Sequence, residues 1–345
     1  MEKTNLFGKT LPELKEITAL LSLPSYVASQ LADWLYRKNV SSFEEMTNIS
    51  KKNREILSEN YSIEKISQVH SGTSRDGTKK YLFPVGGNYF VESVFIPGRK
   101  RATLCLSVQA GCKMNCSFCM TGKQGFQSNL TSGQILSQLF NLPEKDQITN
   151  IVYMGMGEPF DNTEEVLKSL QILTEDWGYG MSPKKITVST IGIMPGMLTF
   201  IKQSKANLAI SLHSPFHGER KKLIPAENKF PVREIIKILK DNPLEKSRRL
   251  SFEYIMFKDL NDSPAHAAGI AKLLEGLDAK VNLIRFHSIP GTLLQGSSSE
   301  TMEKFRVALG RKGIMATVRA SRGQDIEAAC GLLSTRELLK RNRNN

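Results

Sequence analysis

The chain has 345 residues, of which 40% are hydrophobic and 23% charged, with 25 Gly and 14 Pro. This composition is that of a globular protein of about two domains, and it excludes fibrous, collagen-like and disordered chains. The formal net charge of +13 predicts a field that attracts polyanions such as nucleic acid, although many basic proteins bind none.

Membrane and secretory segments are not expected. The longest apolar windows, such as residues 17–28, are broken by Ser, Pro and Tyr and fall short of the roughly 18 residues that a membrane span needs. The first residues, MEKTNLFGKT, lack the apolar stretch and cleavage site of a signal peptide. The sequence therefore predicts a cytoplasmic protein with no membrane partner.

The first third of the chain changes from helical to strand-like patterns. Apolar residues at helical intervals predict three or four short helices over residues 11–60. The runs YLFPV and YFVESVFIP, separated by Gly86-Gly87-Asn88, then predict a β-hairpin. We accordingly divide the chain into a helical accessory domain (1–65), a β-hairpin linker (66–98) and a main domain with a C-terminal extension (99–345).

The main domain alternates strand-like runs with segments of helical character. The strand-like runs are TLCLSV, NIVYMG, KITVST, NLAISLH, SFEYIMF, VNLIRF and MATVR. This alternation predicts an α/β fold of parallel strands and crossover helices. Periodicity alone leaves open whether the strands form a doubly wound sheet or a barrel.

Residues with useful chemistry follow the predicted strands. Sulfur and polar side chains occur at 112–119, 155–158, 189–190 and 211–213, after the first four strands, and His287 follows the sixth. The carboxyl ends of parallel strands form the ligand-binding face of barrels and of open sheets. We therefore expect these residues to share one site.

Three of the five cysteines, Cys112, Cys116 and Cys119, have the spacing C-x3-C-x2-C. Such a triplet could bind zinc or an iron–sulfur cluster. A structural zinc site needs four ligands, and no His lies between His70 and His213 to complete one. A four-iron cluster with three thiolates would keep one iron open, and three buried thiols without metal are the remaining alternative.

The motifs also carry a family resemblance. CKMNCSFC is similar to the signature of radical S-adenosylmethionine (SAM) enzymes. Together with RATLC, YMGMGEPFDN, ITVSTIGI, AISLHSP and RASRGQDIEAACGLL, in order from Val91 to Leu333, it resembles the RlmN family of dual-specificity RNA methyltransferases. The resemblance implies a partial (β/α) barrel of the radical SAM type with a small helical N-terminal domain, which would contact RNA.

The resemblance also implies the reaction, which is methylation of carbon 2 of adenine in 23S rRNA and in tRNA. Cys112, Cys116 and Cys119 would bind one [4Fe-4S] cluster, an external donor would supply electrons, and two SAM molecules would be used per turnover. Cys330 would accept a methyl group from the first SAM. A radical derived from the second would remove hydrogen from that methyl group, and the resulting methylene radical would add to the ring.

Two further residues would complete that reaction. By the same resemblance, Glu92 would remove the proton at carbon 2, and Cys105 would attack Cys330 to release the product and leave a transient disulfide. Taken singly, both cysteines are typical of small buried residues and Glu92 of a surface charge. On a regular strand, Glu92 shares a face with Val94 and Ile96, where apolar neighbours would disfavour the ionised carboxylate and suit a base.

The resemblance further implies a SAM site, and one of its residues departs from the family pattern. The family has Asn in a W-N-P context where this chain has His287 in RFHSIPG. A neutral imidazole still donates or accepts a hydrogen bond. An isolated Ser or His at a strand end is otherwise a capping or packing residue. The implied SAM-binding residues are Gly157, Glu158, Ser189, Ser211, Leu212, His213 and His287.

Two other functions compete with this interpretation. A Cfr-type enzyme, which methylates carbon 8 of adenine, shares the cysteine triplet and both additional cysteines. A metal-stabilised RNA-binding protein without catalysis would also be basic and rich in cysteine, and it would contain zinc.

Overall fold

The N-terminal region of the computed structural model, which describes residues 3–333, is helical. A capping box begins the first helix, where the Thr10 N–H donates to the Glu13 carboxylate at 2.7 Å. The predicted short helices over residues 11–60 are confirmed. The elements are β1 (Thr4–Asn5), α1 (Leu11–Leu20), α2 (Tyr26–Ala32), a π-helical turn (Asp33–Arg37), α3 (Lys51–Asn60) and β2 (Tyr61–Ser62), which pairs in parallel with β1.

The predicted hairpin is present and is part of a larger sheet. Strands β4 (Lys79–Pro84) and β5 (Phe90–Ile96) are antiparallel, and an additional strand, β3 (His70–Thr73), pairs with β4. The next strand, β6 (Thr103–Cys105), pairs with β5, so the hairpin continues directly into the main sheet. The domain boundaries stay a prediction, because the three regions share one hydrophobic core.

The rest of the chain alternates strands and helices as the sequence predicts. All seven predicted strand-like runs contain a strand. In chain order after β6, the elements are β7 (Gln109–Ala110), α4 (Met120–Gln124), β8 (Ser128–Asn129), α5 (Ser132–Phe140), β9 (Asn150–Tyr153), α6 (Thr163–Thr174), β10 (Ile186–Thr190), α7 (Met194–Gln203), β11 (Asn207–Ser211), α8 (His217–Leu223), α9 (Val232–Asp241), β12 (Leu250–Met256), α10 (Pro264–Leu274), β13 (Ala279–Arg285), α11 (Ser299–Arg311) and β14 (Met315–Val318).

The order of the strands decides between the two architectures that periodicity left open. The ten-stranded sheet runs β14-β13-β12-β11-β10-β9-β6-β5-β4-β3, and β6 and β9 to β14 are all parallel. The parallel strands follow one another in chain order with no reversal, whereas a doubly wound sheet reverses at a switch point. Right-handed crossovers then place all the helices on one face. The sheet is open at β14 and β3, which gives a partial barrel.

The two faces of the parallel strands differ in chemistry. Residues facing the helices are apolar and fully buried, as Ile151, Val188 and Leu208 illustrate. The alternate residues, such as Asn150 and Thr187, line a cavity of about 510 Å³ on the concave face. The barrel interior is therefore polar. Within the described residues, no helix is both long enough and apolar enough to span a membrane.

Tyr36 joins the helical region to the barrel. Its ring is fully buried and lies 6.3 Å from that of Phe140 and 6.2 Å from that of Trp177, centroid to centroid. Its hydroxyl donates to the Lys9 carbonyl at 2.5 Å and accepts from the Gly8 N–H at 3.1 Å. The ring thus packs across the interface with the barrel, while the hydroxyl is satisfied by backbone groups of the helical region.

We expect Tyr36→Phe to lower the free energy of unfolding by about 1–3 kcal/mol, because the Gly8 and Lys9 backbone groups lose their partner in a buried site. Urea unfolding measures this loss. The matched control is Tyr26→Phe, whose side chain is on the surface and 61% exposed, and which should change stability by less than about 0.5 kcal/mol. Equal effects in both variants would contradict the proposed role of the hydroxyl.

Candidate cluster and cofactor site

The cysteine triplet lies on the loop between β7 and α4. Cys112, Cys116 and Cys119 all line one cavity of about 160 Å³ at the carboxyl ends of the strands. Gly111 makes the tight loop possible, because its φ is +71° and an added Cβ would lie 1.7 Å from the Gly125 carbonyl oxygen. The structure therefore brings the three predicted ligands to a common space.

The thiols are buried, and this determines their protonation. Burial raises the pKa of Cys112 to about 12 and that of Cys116 well above its ordinary value, and the neighbouring cysteines raise both further. Iron binding reverses this preference, since a metal-bound thiol loses its proton. Three thiols around one cavity are a donor set that fits a four-iron cluster. Across residues 3–333, no three His, Cys, Asp or Glu side chains are arranged to hold a single metal ion.

Glu158 is the buried carboxylate of the cavity. It accepts hydrogen bonds from the Thr190 hydroxyl at 2.6 Å and from the Ile191 N–H at 3.0 Å. Burial nevertheless dominates and raises its pKa to about 7. Gly157 precedes it with φ +96°, and an added Cβ there would lie 2.8 Å from the Gln109 backbone nitrogen. Gly157 thus lets neighbouring groups approach the backbone closely, and Glu158 supplies a carboxylate that would ionise beside a cationic ligand.

His213 is held neutral and in a defined orientation. Its Nδ1 accepts from the Ile255 N–H at 2.9 Å, and its ring meets Phe118 edge-on at 4.7 Å. Burial lowers its pKa to about 3. Since Nδ1 is the acceptor, the proton lies on Nε2, which leaves one hydrogen-bond donor on the ring.

The other predicted SAM-binding residues divide into two groups. Ser189 and Ser211 line the same cavity as the cysteines. Leu212 does not, because its side chain is fully buried in the main core. His287 lines the larger barrel cavity instead and lies 3.0 Å from the Ser321 hydroxyl through Nε2. The structure therefore brings five of the seven implied residues to the cysteine-lined cavity.

Cys330 lies where the two cavities meet. It is exposed and lines both the cysteine-lined cavity and the larger polar one. Its loop is tied to the helix after the cysteine triplet, because the Met120 N–H donates to the Gly331 carbonyl at 2.8 Å and the Thr121 hydroxyl donates to that of Leu333 at 2.7 Å. The loop thus holds Cys330 at the cavity lined by the cysteine triplet.

Cys105 is the neighbour of Cys330, and both thiols are free. Burial raises the pKa of Cys105 to about 12, and negative charge at Cys330 raises it further. Arg319 lies beside both thiols. Burial lowers its pKa, but the neighbouring Cys330, Glu253 and Cys105 raise it by more, so the pKa is above its ordinary value. The structure therefore brings together the two cysteines that the triplet leaves over, beside the Arg319 cation, which lowers the pKa of Cys105 against the effect of burial.

Glu92 is buried in β5 and only 5% exposed, whereas taken singly it is typical of a surface charge. Its surroundings are not only apolar, because the Lys80 ammonium lies 3.2 Å from its carboxylate. Lys80 of β4 and Cys105 of β6 are both paired with Val94 of β5, so these three side chains lie on one face of the sheet. Glu92 is two residues from Val94 on the same strand and therefore lies on that face too. Glu92 and Cys105 therefore lie on the same side of the sheet.

The sequence did not predict a buried ion pair that stabilises the strand ends at the site. The Arg220 guanidinium binds the Glu227 carboxylate and donates to the carbonyls of Ser211 at 2.9 Å and Ile191 at 2.8 Å. Both charged residues are at most 1% exposed. Arg220 thus fixes the carboxyl ends of β10 and β11. The sequence GERKKLIPAEN does not predict this buried pair, because most charged residues in such a segment lie on the solvated surface.

Comparisons with known proteins identify the family. The Radical SAM superfamily model matches residues 106–268, and that of the ribosomal RNA large subunit methyltransferase N-terminal domain matches residues 4–63. A probable dual-specificity RNA methyltransferase RlmN of Bacteroides thetaiotaomicron is 56% identical over 97% of both chains. The RlmN protein of Alcanivorax borkumensis is 39% identical over 96% of this chain and 90% of that protein.

The chain belongs to the RlmN family of radical SAM methyltransferases. A solved radical SAM methyltransferase from Sphaerobacter thermophilus has a TM-score of 0.88 and 37% identity, covering 96% of this chain and 99% of that chain. The expected partial barrel of the radical SAM type is confirmed. The cofactors of an RlmN-family enzyme are a [4Fe-4S] cluster and SAM, and membership removes the non-catalytic alternative.

We expect Arg220→Met to lower the free energy of unfolding by about 3–5 kcal/mol, because it leaves the Glu227 carboxylate buried without its cation. Urea unfolding at neutral pH measures this. The control is Arg306→Met, which breaks the Arg306–Glu303 pair on the exposed face of α11, 2.6 Å apart, and should cost less than about 1 kcal/mol. A similar small loss in both variants would show that the buried pair does not hold the strand ends.

Proposed function

We propose that the protein methylates carbon 2 of adenine in large-subunit ribosomal RNA and in transfer RNA, through a methylated Cys330. The observation that carries the proposal is the position of Cys330, which borders the cluster and cofactor cavity on one side and an open polar channel on the other. A methyl group bound there could be formed from a cofactor on one side and delivered to a base on the other.

The cysteine-lined cavity supports the cofactor part of the proposal. Cys112, Cys116 and Cys119 would hold the cluster, and Glu158 would bind the ammonium group of SAM as a charge-assisted hydrogen-bond acceptor. His213, with its proton on Nε2, would donate to the ribose or carboxylate, beside Ser189 and Ser211. When bound, the cluster and SAM supply a carbon-centred radical that removes hydrogen from the methyl group on Cys330.

The neighbouring cysteines support the product-releasing part. The methylene radical on Cys330 would add to carbon 2, and Glu92 would take the ring proton. The cluster that the cysteine triplet would hold would supply the acceptor for the one electron that the adduct loses, which leaves a thioether between Cys330 and carbon 2. The Cys105 thiolate would attack the Cys330 sulfur, which breaks its bond to carbon as the S–S bond forms. That carbon then takes a proton and becomes the product methyl group.

The pairing of Glu92 with Lys80 fits the role of base. A nearby ammonium favours the ionised carboxylate, which must be unprotonated to accept the proton. Burial beside the Cys105 strand keeps this base on the reacting side of the sheet.

The partners follow from the chemistry. Adenine carbon 2 is accessible only in unpaired or extruded bases, so the RNA must present or flip the target nucleotide. Cleavage of SAM requires an electron that this chain's side chains do not supply, which implies an external donor. We place the enzyme in the cytoplasm because its RNA substrates are there. The relatives from Bacteroides thetaiotaomicron and Alcanivorax borkumensis are both named RlmN, which favours carbon 2 over carbon 8.

We expect Cys330→Ala to abolish RNA methylation while leaving iron and sulfide at about four each per chain, because this thiol is outside the triplet. Cys116→Ala should lose the iron as well. Anaerobic reconstitution, metal analysis and mass spectrometric mapping of the modified base test all three statements. Methylation at the normal rate by Cys330→Ala, or a methyl group on carbon 8, would contradict the proposal.

We expect Cys105→Ala to stop the reaction after the carbon–sulfur bond to RNA has formed, because no thiol remains to attack Cys330. Intact-mass analysis should show protein covalently joined to RNA. The double variant Cys105→Ala/Cys330→Ala is the control and should give no adduct. Normal turnover by Cys105→Ala would assign the release step to another group.

A further inference from the structure

The larger barrel cavity carries an unusual concentration of positive charge. Of the side chains lining its volume of about 510 Å³, six are Lys or Arg and one is acidic, Glu253. Such a concentration is electrostatically unfavourable unless an anion compensates for it. The cations are Arg101, Lys184, Arg249, Lys280, Arg319 and Arg322.

Four of these cations form a rim at the amino-terminal ends of the strands. Arg101 and Lys184 lie two residues before β6 and β10, Arg249 lies directly before β12, and Lys280 is the second residue of β13. The cysteine triplet lies at the opposite, carboxyl ends. The four cations come from separate strands, so the fold, rather than a local basic segment, assembles the rim.

The rim cations are available to a ligand. Arg319 is paired with Glu253 at 3.4 Å, and Arg322 lies 4.0 Å from Asp76. For Arg101, Lys184, Arg249 and Lys280, by contrast, the described part of the chain offers no carboxylate within 4.0 Å. Burial lowers the pKa of Lys280, and repulsion from Arg249, Arg101 and Arg319 lowers it further, which shows how closely the positive charges face one another.

The cavity also leads to the reacting thiol. Its inner end is lined by Cys330, together with Met154 and Arg319, and these three residues also line the cysteine-lined cavity. A bound cluster and SAM would fill that second cavity, so a substrate base needs a different route to Cys330. A volume of about 510 Å³ lies within the roughly 300–1,000 Å³ of small-molecule sites and can admit a nucleoside.

We propose that the RNA reaches Cys330 from the amino-terminal end of the barrel, with the target adenine inserted into this channel and the flanking phosphates bound by Arg101, Lys184, Arg249 and Lys280. The inference rests on the proposed function for the identity of the inserted base. It adds the direction of access and a phosphate-binding rim, which position the RNA without reading its sequence.

The test compares two double variants that remove the same charge. Lys184→Gln/Arg249→Gln alters exposed rim side chains, and Arg233→Gln/Lys237→Gln alters exposed side chains on α9, on the outer helical layer. Binding of an unmodified transcript of a large-subunit rRNA fragment is measured from low to moderate salt. The slope of log affinity against log salt should fall by about 2 in the rim variant, about 1 for each phosphate contact, and stay unchanged in the α9 variant.

Two further readouts separate this inference from the proposed function. The rim variant should show a raised KM for RNA with little change in kcat, and methyl transfer from SAM to Cys330 without RNA, followed by intact mass, should equal that of the wild type. Equal salt slopes and KM values in the two double variants would overturn the phosphate-binding rim. If the wild type methylated neither Cys330 nor RNA, the proposed function would fail, and the salt slopes would still decide whether RNA binds at the rim.

Discussion

The order of the parallel strands is the constraint on which the rest of the structure depends. Because β6 and β9 to β14 are adjacent in the order in which they occur, every right-handed crossover returns on the same side of the sheet. The helices then bury one face completely. The other face is free to be polar, and the sheet curves around it into an open barrel with two distinct ends, one bearing the thiols and the other bearing the cations.

The carboxyl-terminal end concentrates charged and polar groups that burial alone would disfavour. Each is held by directed contacts: Glu158 by two backbone N–H groups and the Thr190 hydroxyl, His213 by the Ile255 N–H, and Arg220 by Glu227. A buried polar group with satisfied hydrogen bonds has little freedom to turn. The protein's own contacts therefore fix the orientation of these side chains, which reduces the ordering that cofactor binding requires.

The sequence predicted those features that depend on neighbouring residues. Strand-like runs between helical segments located the seven parallel strands β6 and β9 to β14, and the spacing of Cys112, Cys116 and Cys119 located the loop that lines the smaller cavity. The sequence did not predict contacts between residues that lie far apart in the chain and meet only when the strands pair. Lys80 meets Glu92 across two antiparallel strands, and the four rim cations come from four strands of one sheet. Leu212 and His287 show the same limit in reverse: the family resemblance implied that both bind SAM, but the Leu212 side chain lies in the core and that of His287 lines the larger cavity.

Cys330 lies on a loop rather than on a strand, and this lets its thiol border both cavities of the barrel. A strand residue faces one cavity only, since successive side chains alternate between faces. Cys330 instead lies within a loop in which Gly323, Glu327 and Gly331 all have positive φ. The loop is fixed on both sides of the thiol: the Gly323 N–H donates to Asp76 at 3.0 Å, and the Gly331 carbonyl accepts from the Met120 N–H. The thiol thus borders both cavities and lies near Cys105, and these are the three surroundings that Cys330 would meet in succession in its proposed role as methyl carrier.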